Sequence, residues 1–455
     1  MVSAYEPSLE NLSRSPRVAK GAPLIGVLPR FVRDPAALLL ETSRAHPGEI
    51  VKLPLGPTSA YFLSDPRHIQ HVLHDNWRSY GKGAMWKAAR RLMGNGLVAS
   101  EGDSWLRGRK LVQPVFTPKH LAGIIGSLAT FAAREGERIS KLAGTEVDVA
   151  VEMTRTIQSM FMQTLFGAEV AREDTDRISE AVVKALEGIN LRAFLHFVPG
   201  WMLPGERALV RNIAIIDEII LGLVEKRRRE PTESNDLLGL LLRARDAETN
   251  DGMNDRQLRD ELVSMFVAGN DTSAVAMTWI WHVLAEHPNV RAKICEELAN
   301  VLGDRTPAFE DLGKLVYTRA VIQETMRMYP VGWMIPRVAS ESDVIDGVTI
   351  PKGAMVVMSQ YATHRDPRFW SDPDAFKPER FLGDGQNQPR YAYFPFGGGP
   401  RQCIGHHLAT AMMQLVIASV TPRVTMNHAS KKPVEMQSTI TLRPRGGLRM
   451  NVRAG

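Results

Sequence analysis

Apolar residues recur at three- and four-residue intervals through most of residues 115–330, the spacing of amphipathic helices. In one such stretch Asp236 stands as an N-cap before Leu237, Leu238, Leu240, Leu241 and Leu242. The run from Asn254 to His287 predicts a single long helix, opened by a capping box between Asn254 and Gln257 and closed by Pro288. Some thirty residues at about 1.5 Å each reach about 50 Å, enough to span a molecule of this size. A helix of that length is a spine on which a buried site can be mounted. Short strand-like runs lie nearer the ends of the chain: Ile50–Leu53, Ala60–Leu63, Ala354–Met358 and Ser438–Leu442. Strands supplied from both ends are expected to pair with each other. The stretch from Tyr361 to Pro395 is rich in Pro, Asp and Gly, and reads as a long irregular connection that must be anchored or functional. The pattern predicts a mainly α fold with a small β region (α+β). Residues 1–20 read as an N-terminal tail and 21–455 as a single domain.

Composition narrows the class. Hydrophobic residues make up 44% and charged residues 23% of the 455 positions, which excludes fibrous and disordered chains. A chain of this length buries enough surface to enclose a sizeable cofactor. The 56 Lys and Arg against 50 Asp and Glu give a net charge of +6. The sharpest basic run, Lys226–Arg229, is flanked by Glu225 and Glu230 and reads as a solvated helix end, so no nucleic-acid partner is expected. Nothing resembles an export signal, a membrane anchor or a lipidation site, and a cytoplasmic monomer is expected. Only two cysteines occur, Cys295 and Cys403, the usage of a reducing compartment or of one working thiolate.

Cys403 closes the informative stretch, Phe394-Pro395-Phe396-Gly397-Gly398-Gly399-Pro400-Arg401-Gln402-Cys403-Ile404-Gly405-His406-His407. A phosphate loop needs Gly-Lys-Ser/Thr where Pro400-Arg401 follows the glycines. A dinucleotide loop needs a strand running into a correctly spaced Gly-x-Gly-x-x-Gly. A zinc site from Cys403, His406 and His407 lacks a second ligand pair at usable spacing. The remaining reading fits each residue. Gly397 to Gly399 let a flat ligand pass close to the backbone, and Arg401 can grip a carboxylate of that ligand. The helix start after Cys403 favours the thiolate, and Gly405 lets that helix approach the ligand plane. A lone thiolate facing a flat dicarboxylate ligand suggests haem.

The pattern Phe396-x-x-Gly399-x-Arg401-x-Cys403-x-Gly405 resembles the haem-binding loop of the cytochrome P-450 superfamily, the haem-thiolate monooxygenases. The resemblance extends from about residue 20 over nearly the whole chain. Ala268-Gly269-Asn270-Asp271-Thr272-Ser273 is similar to the family's oxygen-binding groove. Ala268 and Thr272 share a helix face, Gly269 opens a notch, and the Thr272 hydroxyl can bond back to the carbonyl of residue 268. Glu324-Thr325-Met326-Arg327 looks like the family's Glu-x-x-Arg pair, which implies a buried structural network with Arg380. Trp105 and Arg109 resemble a Trp-x-x-x-Arg that donates to a haem propionate, and Arg337 resembles a further propionate-binding arginine.

What the resemblance implies is haem b held by Cys403 as the axial iron ligand. Phe396, Arg401, Gly405, Trp105, Arg109 and Arg337 complete the cofactor site, and Thr272 with Asp271 manages protons for O2. The implied reaction inserts one oxygen atom of O2 into a hydrophobic small molecule of terpenoid, steroid, fatty acyl or polyketide class, in secondary metabolism. Apolar segments suggested as lining carry Met85, Trp86, Leu97, Phe266, Val331, Trp333, Met334, Met436 and Ile440. Electrons are expected from NAD(P)H through a separate ferredoxin or flavodoxin, docking on a basic patch of Lys87, Arg107 and Lys110. The rival readings are a haem-thiolate isomerase or dehydratase and a non-catalytic haem sensor. An intact Asp271-Thr272 pair argues against both.

Overall fold

The computed structural model describes residues 14–83, 86–167, 170, 172–194, 202–231, 235–246, 248–383 and 388–455. Two compact units emerge, each assembled from separated stretches of chain. The first comprises the described residues within 1–82, 332–375 and 387–402, and the second those within 83–331, 376–386 and 403–455.

The first unit is built on a six-stranded sheet in the order Arg17–Val18, Val51–Leu55, Thr58–Leu63, Met355–Met358, Ile335–Ala339, Tyr80–Gly81. Arg17 and Val18, inside the stretch read as a tail, pair in parallel with Val51 and Lys52. Val51–Leu55 and Thr58–Leu63 form a hairpin across Gly56, whose φ is +68°. Leu63 then pairs with Met358, so an early and a late strand do meet, as expected of strands supplied from both ends of the chain. One face of this sheet is apolar: Tyr61, Leu63, Tyr80, Val356 and Met358 pack with Tyr391 and Phe394. The long Pro- and Gly-rich connection is anchored to that core rather than loose. His364 is fully buried and its Nε2 accepts the Phe394 N–H at 2.9 Å, while the Arg365 guanidinium lies 4.0 Å over the Tyr361 ring.

In the second unit the expected long helix runs over Asp255–Glu286. Its length is about 50 Å at the α-helical rise. The capping box is complete, with Asn254 Oδ1 accepting the Gln257 N–H and Gln257 Oε1 accepting the Asn254 N–H. The hydrophobic surface is taken up on nearly every side, chiefly by helices Val149–Phe166 and Glu206–Arg229. Near its start three consecutive charged residues turn inward and grip the segment 92–97. Arg259 donates to the Leu92 carbonyl (2.6 Å), Asp260 accepts the Asn95 N–H (2.8 Å), and Glu261 accepts the Leu97 N–H (2.9 Å). Backbone groups of a buried loop thereby find the partners that regular structure would have supplied.

Glu261 is the costly member of that trio. Burial, reinforced by neighbouring Asp260, pushes its carboxyl up to about 7 against the opposing pull of the Leu97 N–H. The folded protein therefore binds a proton more readily than the unfolded chain. Stability should fall as pH rises from about 4.5 to 7, by on the order of 3 kcal/mol in all. Glu261→Gln keeps the acceptor oxygen and removes the charge. Urea unfolding at pH 5 and pH 8 should show this decline in the parent and a flatter profile in the variant; equal declines would assign it to other groups.

Two sequence expectations change here. The basic run Lys226–Arg229 does end a helix, but Arg227 is only 4% exposed, donating to both carboxylate oxygens of Asp236 and to the Phe166 carbonyl. Asp236 in turn caps the helix Leu237–Arg243, as expected, by accepting the Gly239 N–H. The β-branched run Ser438–Leu442 is not one strand. Met436–Ser438 pairs antiparallel with Leu442–Pro444, and Thr439–Thr441 form the turn between them. A separate three-stranded sheet joins Val424–His428, Arg449–Ala454 and Glu146–Asp148. Among the described residues no helix is long and apolar enough to cross a membrane.

Candidate active site

The glycines before Cys403 are required by the protein itself. In the first unit Gly397 and Gly399 have φ of +72° and +66°, which side chains other than glycine rarely adopt. A Cβ on Gly399 would lie 1.8 Å from the Leu73 carbonyl oxygen, and one on Gly398 would lie 2.3 Å from the Tyr391 ring. The loop is thus pressed onto the chain behind it, a stricter need than clearance for a ligand. Arg401 follows in a short 3-10 turn, with its guanidinium 5.8 Å from the Trp77 ring centre. Trp77 carried no signal in the sequence. Phe396 and Arg337 are partly buried in this same unit, and Arg337 Nη1 donates to the Pro336 carbonyl at 2.9 Å.

Cys403 opens the last segment of the second unit, three residues before the helix His406–Val420. It is a free cysteine with an accessible side chain. The surrounding protein nevertheless desolvates its sulfur and pushes the thiol up from its ordinary value, against the Gly405 N–H and the positive charge of Arg109. An accessible sulfur held by one amide N–H, with the positive charge of Arg109 acting on it, is poised to be completed by a cation. Gly405 leaves that side free, because a Cβ there would meet nothing nearer than the Phe116 ring at 3.7 Å.

Arg109 comes from the helix Gly102–Val112, which also carries Trp105, four residues earlier and therefore on the same face. Trp105 is buried, and burial pushes the Arg109 guanidinium down while Cys403 pulls it back up. A partly buried cation close to a thiol suits an anionic group of a bound cofactor.

On the long helix, Thr272 Oγ1 donates to the Ala268 carbonyl at 2.6 Å, as the four-residue spacing predicts, and the helix continues without interruption. Its hydrogen committed, the hydroxyl oxygen is left as an acceptor. Gly269 does not open a notch. A Cβ there would stand 2.1 Å from the Phe161 ring on the neighbouring helix, so this glycine is a close-packing contact. Asp271 is not a free acid either. Arg443 Nη2 donates to both of its oxygens, at 3.1 and 2.8 Å, and Thr441 Oγ1 donates to Oδ2 at 3.3 Å. Both partners come from a hairpin far along the chain, beyond any local sequence signal.

Glu324 and Arg327 are fully buried and paired twice, at 2.7 and 3.0 Å. Glu324 Oε1 also accepts the Lys377 N–H at 2.8 Å and stands 3.3 Å from Arg380 Nε. The network expected from spacing and resemblance is present with Arg380 in it.

The suggested lining is more dispersed than the sequence implied. Phe266 is only 1% exposed, a core residue, whereas Ile440 is 62% exposed on the hairpin turn; Met85 lies outside the described residues. The basic patch is partly neutralised, with Lys110 Nζ 2.7 Å from Glu248 and Arg107 3.8 Å from Asp251, while Lys87 is exposed. Cys295 is half-buried, with Sγ 4.0 Å from the Thr421 carbonyl.

Residues 16–450 match the family model for cytochrome P450. The chain belongs to the cytochrome P450 family. Among its relatives is cyclooctat-9-en-7-ol 5-monooxygenase of Streptomyces melanosporofaciens, 34% identical over 405 residues that cover 88% of this chain and 87% of the relative. Pentalenene oxygenase of Streptomyces avermitilis is 31% identical over 425 residues, 92% of this chain and 93% of the relative. The crystal structure of the cytochrome P450DA heme domain superposes with a TM-score of 0.89 over 97% of each chain at 23% identity, which shows the same fold. The protein is a P450 oxidoreductase, and family membership implies a haem-thiolate centre, O2, a hydrophobic substrate and a redox partner.

Proposed function

We propose that this P450 is a monooxygenase that places one oxygen atom of O2 into a cyclic terpenoid, with Cys403 as the iron ligand. The observation that carries the reading is Cys403 itself, an accessible free cysteine three residues before the helix His406–Val420, with the Gly405 N–H bonded to its sulfur and the positive charge of Arg109 acting on it. Haem bound there supplies O2 activation and electron transfer. The Gly405 N–H restrains the electron donation of the sulfur, and Trp105 and Arg109 offer an indole N–H and a guanidinium to a carboxylate of the cofactor. For Phe396, Arg401 and Arg337 the assignment to haem binding rests on their motif positions. Thr272 Oγ1 accepts a hydrogen bond from water and so holds a proton donor in place. Asp271, partly exposed and paired with Arg443, relays protons from solvent when that pair parts.

Support for the substrate class comes from relatives whose names specify a cyclic alkenol and pentalenene. Electrons come from NAD(P)H through a separate ferredoxin or flavodoxin, with exposed Lys87 as one docking cation; the monomeric, cytoplasmic state is part of the same proposal. Titration of the haem-loaded enzyme with cyclic terpene alcohols should shift its Soret band to shorter wavelength in a saturable way. A saturable shift with steroids or fatty acids and none with terpenoids would move the substrate assignment to that other class.

A further inference from the structure

The far end of the long helix carries a cluster that no part of the P450 reaction uses. His282 and Glu286 are four residues apart and face the same way, toward His428 on the strand Val424–His428. His428 Nε2 lies 3.1 Å from His282 Nδ1 and 3.0 Å from Glu286 Oε1, and all three ligand atoms fall within 4.8 Å of one another. One hydrogen cannot serve this arrangement. A neutral imidazole nitrogen carries its hydrogen in a single in-plane direction, so His428 Nε2 can address His282 or Glu286, and the other contact is left without a proton.

We propose that His282, His428 and Glu286 form a binding site for a divalent transition ion of the zinc type. In a tetrahedral zinc site with bonds of about 2.0–2.1 Å, neighbouring ligand atoms stand about 3.3–3.4 Å apart. The two contacts to His428 are already close to that edge length, and the exposed Glu286 side chain has the freedom to close the third. Two imidazoles and one carboxylate are a zinc ligand set, with water as the fourth ligand. The ring behind is also arranged for it. Tyr329 Oη lies 3.4 Å from His282 Nε2, on the opposite side of the ring from Nδ1, so a hydrogen on Nε2 leaves the Nδ1 lone pair facing the site. Trp279 stacks on Tyr329 with ring centres 4.2 Å apart and meets His282 edge-on at 5.5 Å, fixing both rings. His282 is largely enclosed by its neighbours, while exposed Glu286 opens the cluster to solvent. The bound ion would pin the end of the long helix to the strand Val424–His428.

The test uses haem-loaded enzyme dialysed against chelator and then titrated with zinc chloride in a calorimeter, with thermal melts in parallel. One equivalent should bind, and the melting temperature should rise with zinc concentration as ligand binding to the native state requires. Magnesium chloride should do neither. His428→Gln and Glu286→Gln should each weaken binding by roughly a hundredfold or more, beyond what loss of an outer-shell partner costs. They should also abolish the zinc-dependent rise while keeping the parent Soret band. Glu286 is exposed, so its variant keeps the test decisive if His428→Gln folds poorly. No saturable equivalent in the parent, or unchanged zinc affinity in both variants, would show that the cluster is only a hydrogen-bonded relay.

Discussion

Glu324→Ala is expected to abolish stable haem-loaded enzyme. The Glu324 carboxylate is fully buried and holds Arg327 through two hydrogen bonds, the Lys377 N–H through one and Arg380 by charge. Truncation leaves the Arg327 guanidinium, also fully buried, without its counter-charge. Breaking a buried pair from one side costs about 3–5 kcal/mol, a large share of the total stability of a protein this size. None of these groups is placed to touch substrate, so the loss should appear as low haem content and an early unfolding midpoint rather than as inactive holoprotein. Parent-like haem content and melting temperature in Glu324→Ala would show that the pair contributes little to the fold.

Thr272→Ala should keep haem and substrate binding and lose coupling. The substitution preserves helix propensity and deletes the one hydroxyl that donates to the Ala268 carbonyl and can accept from water. Asp271 stays paired to Arg443, so the proton source remains and only the group that positions its delivery is gone. Proton transfer by a positioned group contributes on the order of 10²–10⁴ in rate. Product formed per reducing equivalent should fall by roughly tenfold or more, with hydrogen peroxide making up the difference. Equal reductant use, peroxide release and product yield in variant and parent would remove Thr272 from the proton path.

What the sequence made legible was local. The capping box at Asn254 and Gln257, the N-cap at Asp236 and the Glu324–Arg327 pair each depend on residues within a few positions of one another. Chemistry at such spacing leaves few alternatives. The cysteine loop was legible for the same reason, since glycine, arginine and cysteine at fixed intervals satisfy one chemistry and fail three others. At the site, what the sequence hid concerns distant partners. Gly269 was read as a notch because Phe161, whose ring fills the space beside it, belongs to a separate helix much earlier in the chain. The pairing of Asp271 with Arg443 left no local signal, because Arg443 arrives from a hairpin whose own turn, Thr439–Thr441, has the β-branched composition of a strand. His282, Glu286 and His428 passed unnoticed because His428 sits on a strand far beyond the other two in the chain.

A haem-thiolate centre in this chain requires Cys403 to be the iron ligand. The measurement that addresses it most directly is the absorption spectrum of the reduced enzyme under carbon monoxide. With Cys403 ligating as thiolate, the freshly prepared protein should give a Soret band shifted far to longer wavelength, and Cys403→His should lose that band while retaining haem. A parent spectrum at the position typical of histidine ligation, or a Cys403→His variant that keeps the red-shifted band, would contradict the assignment.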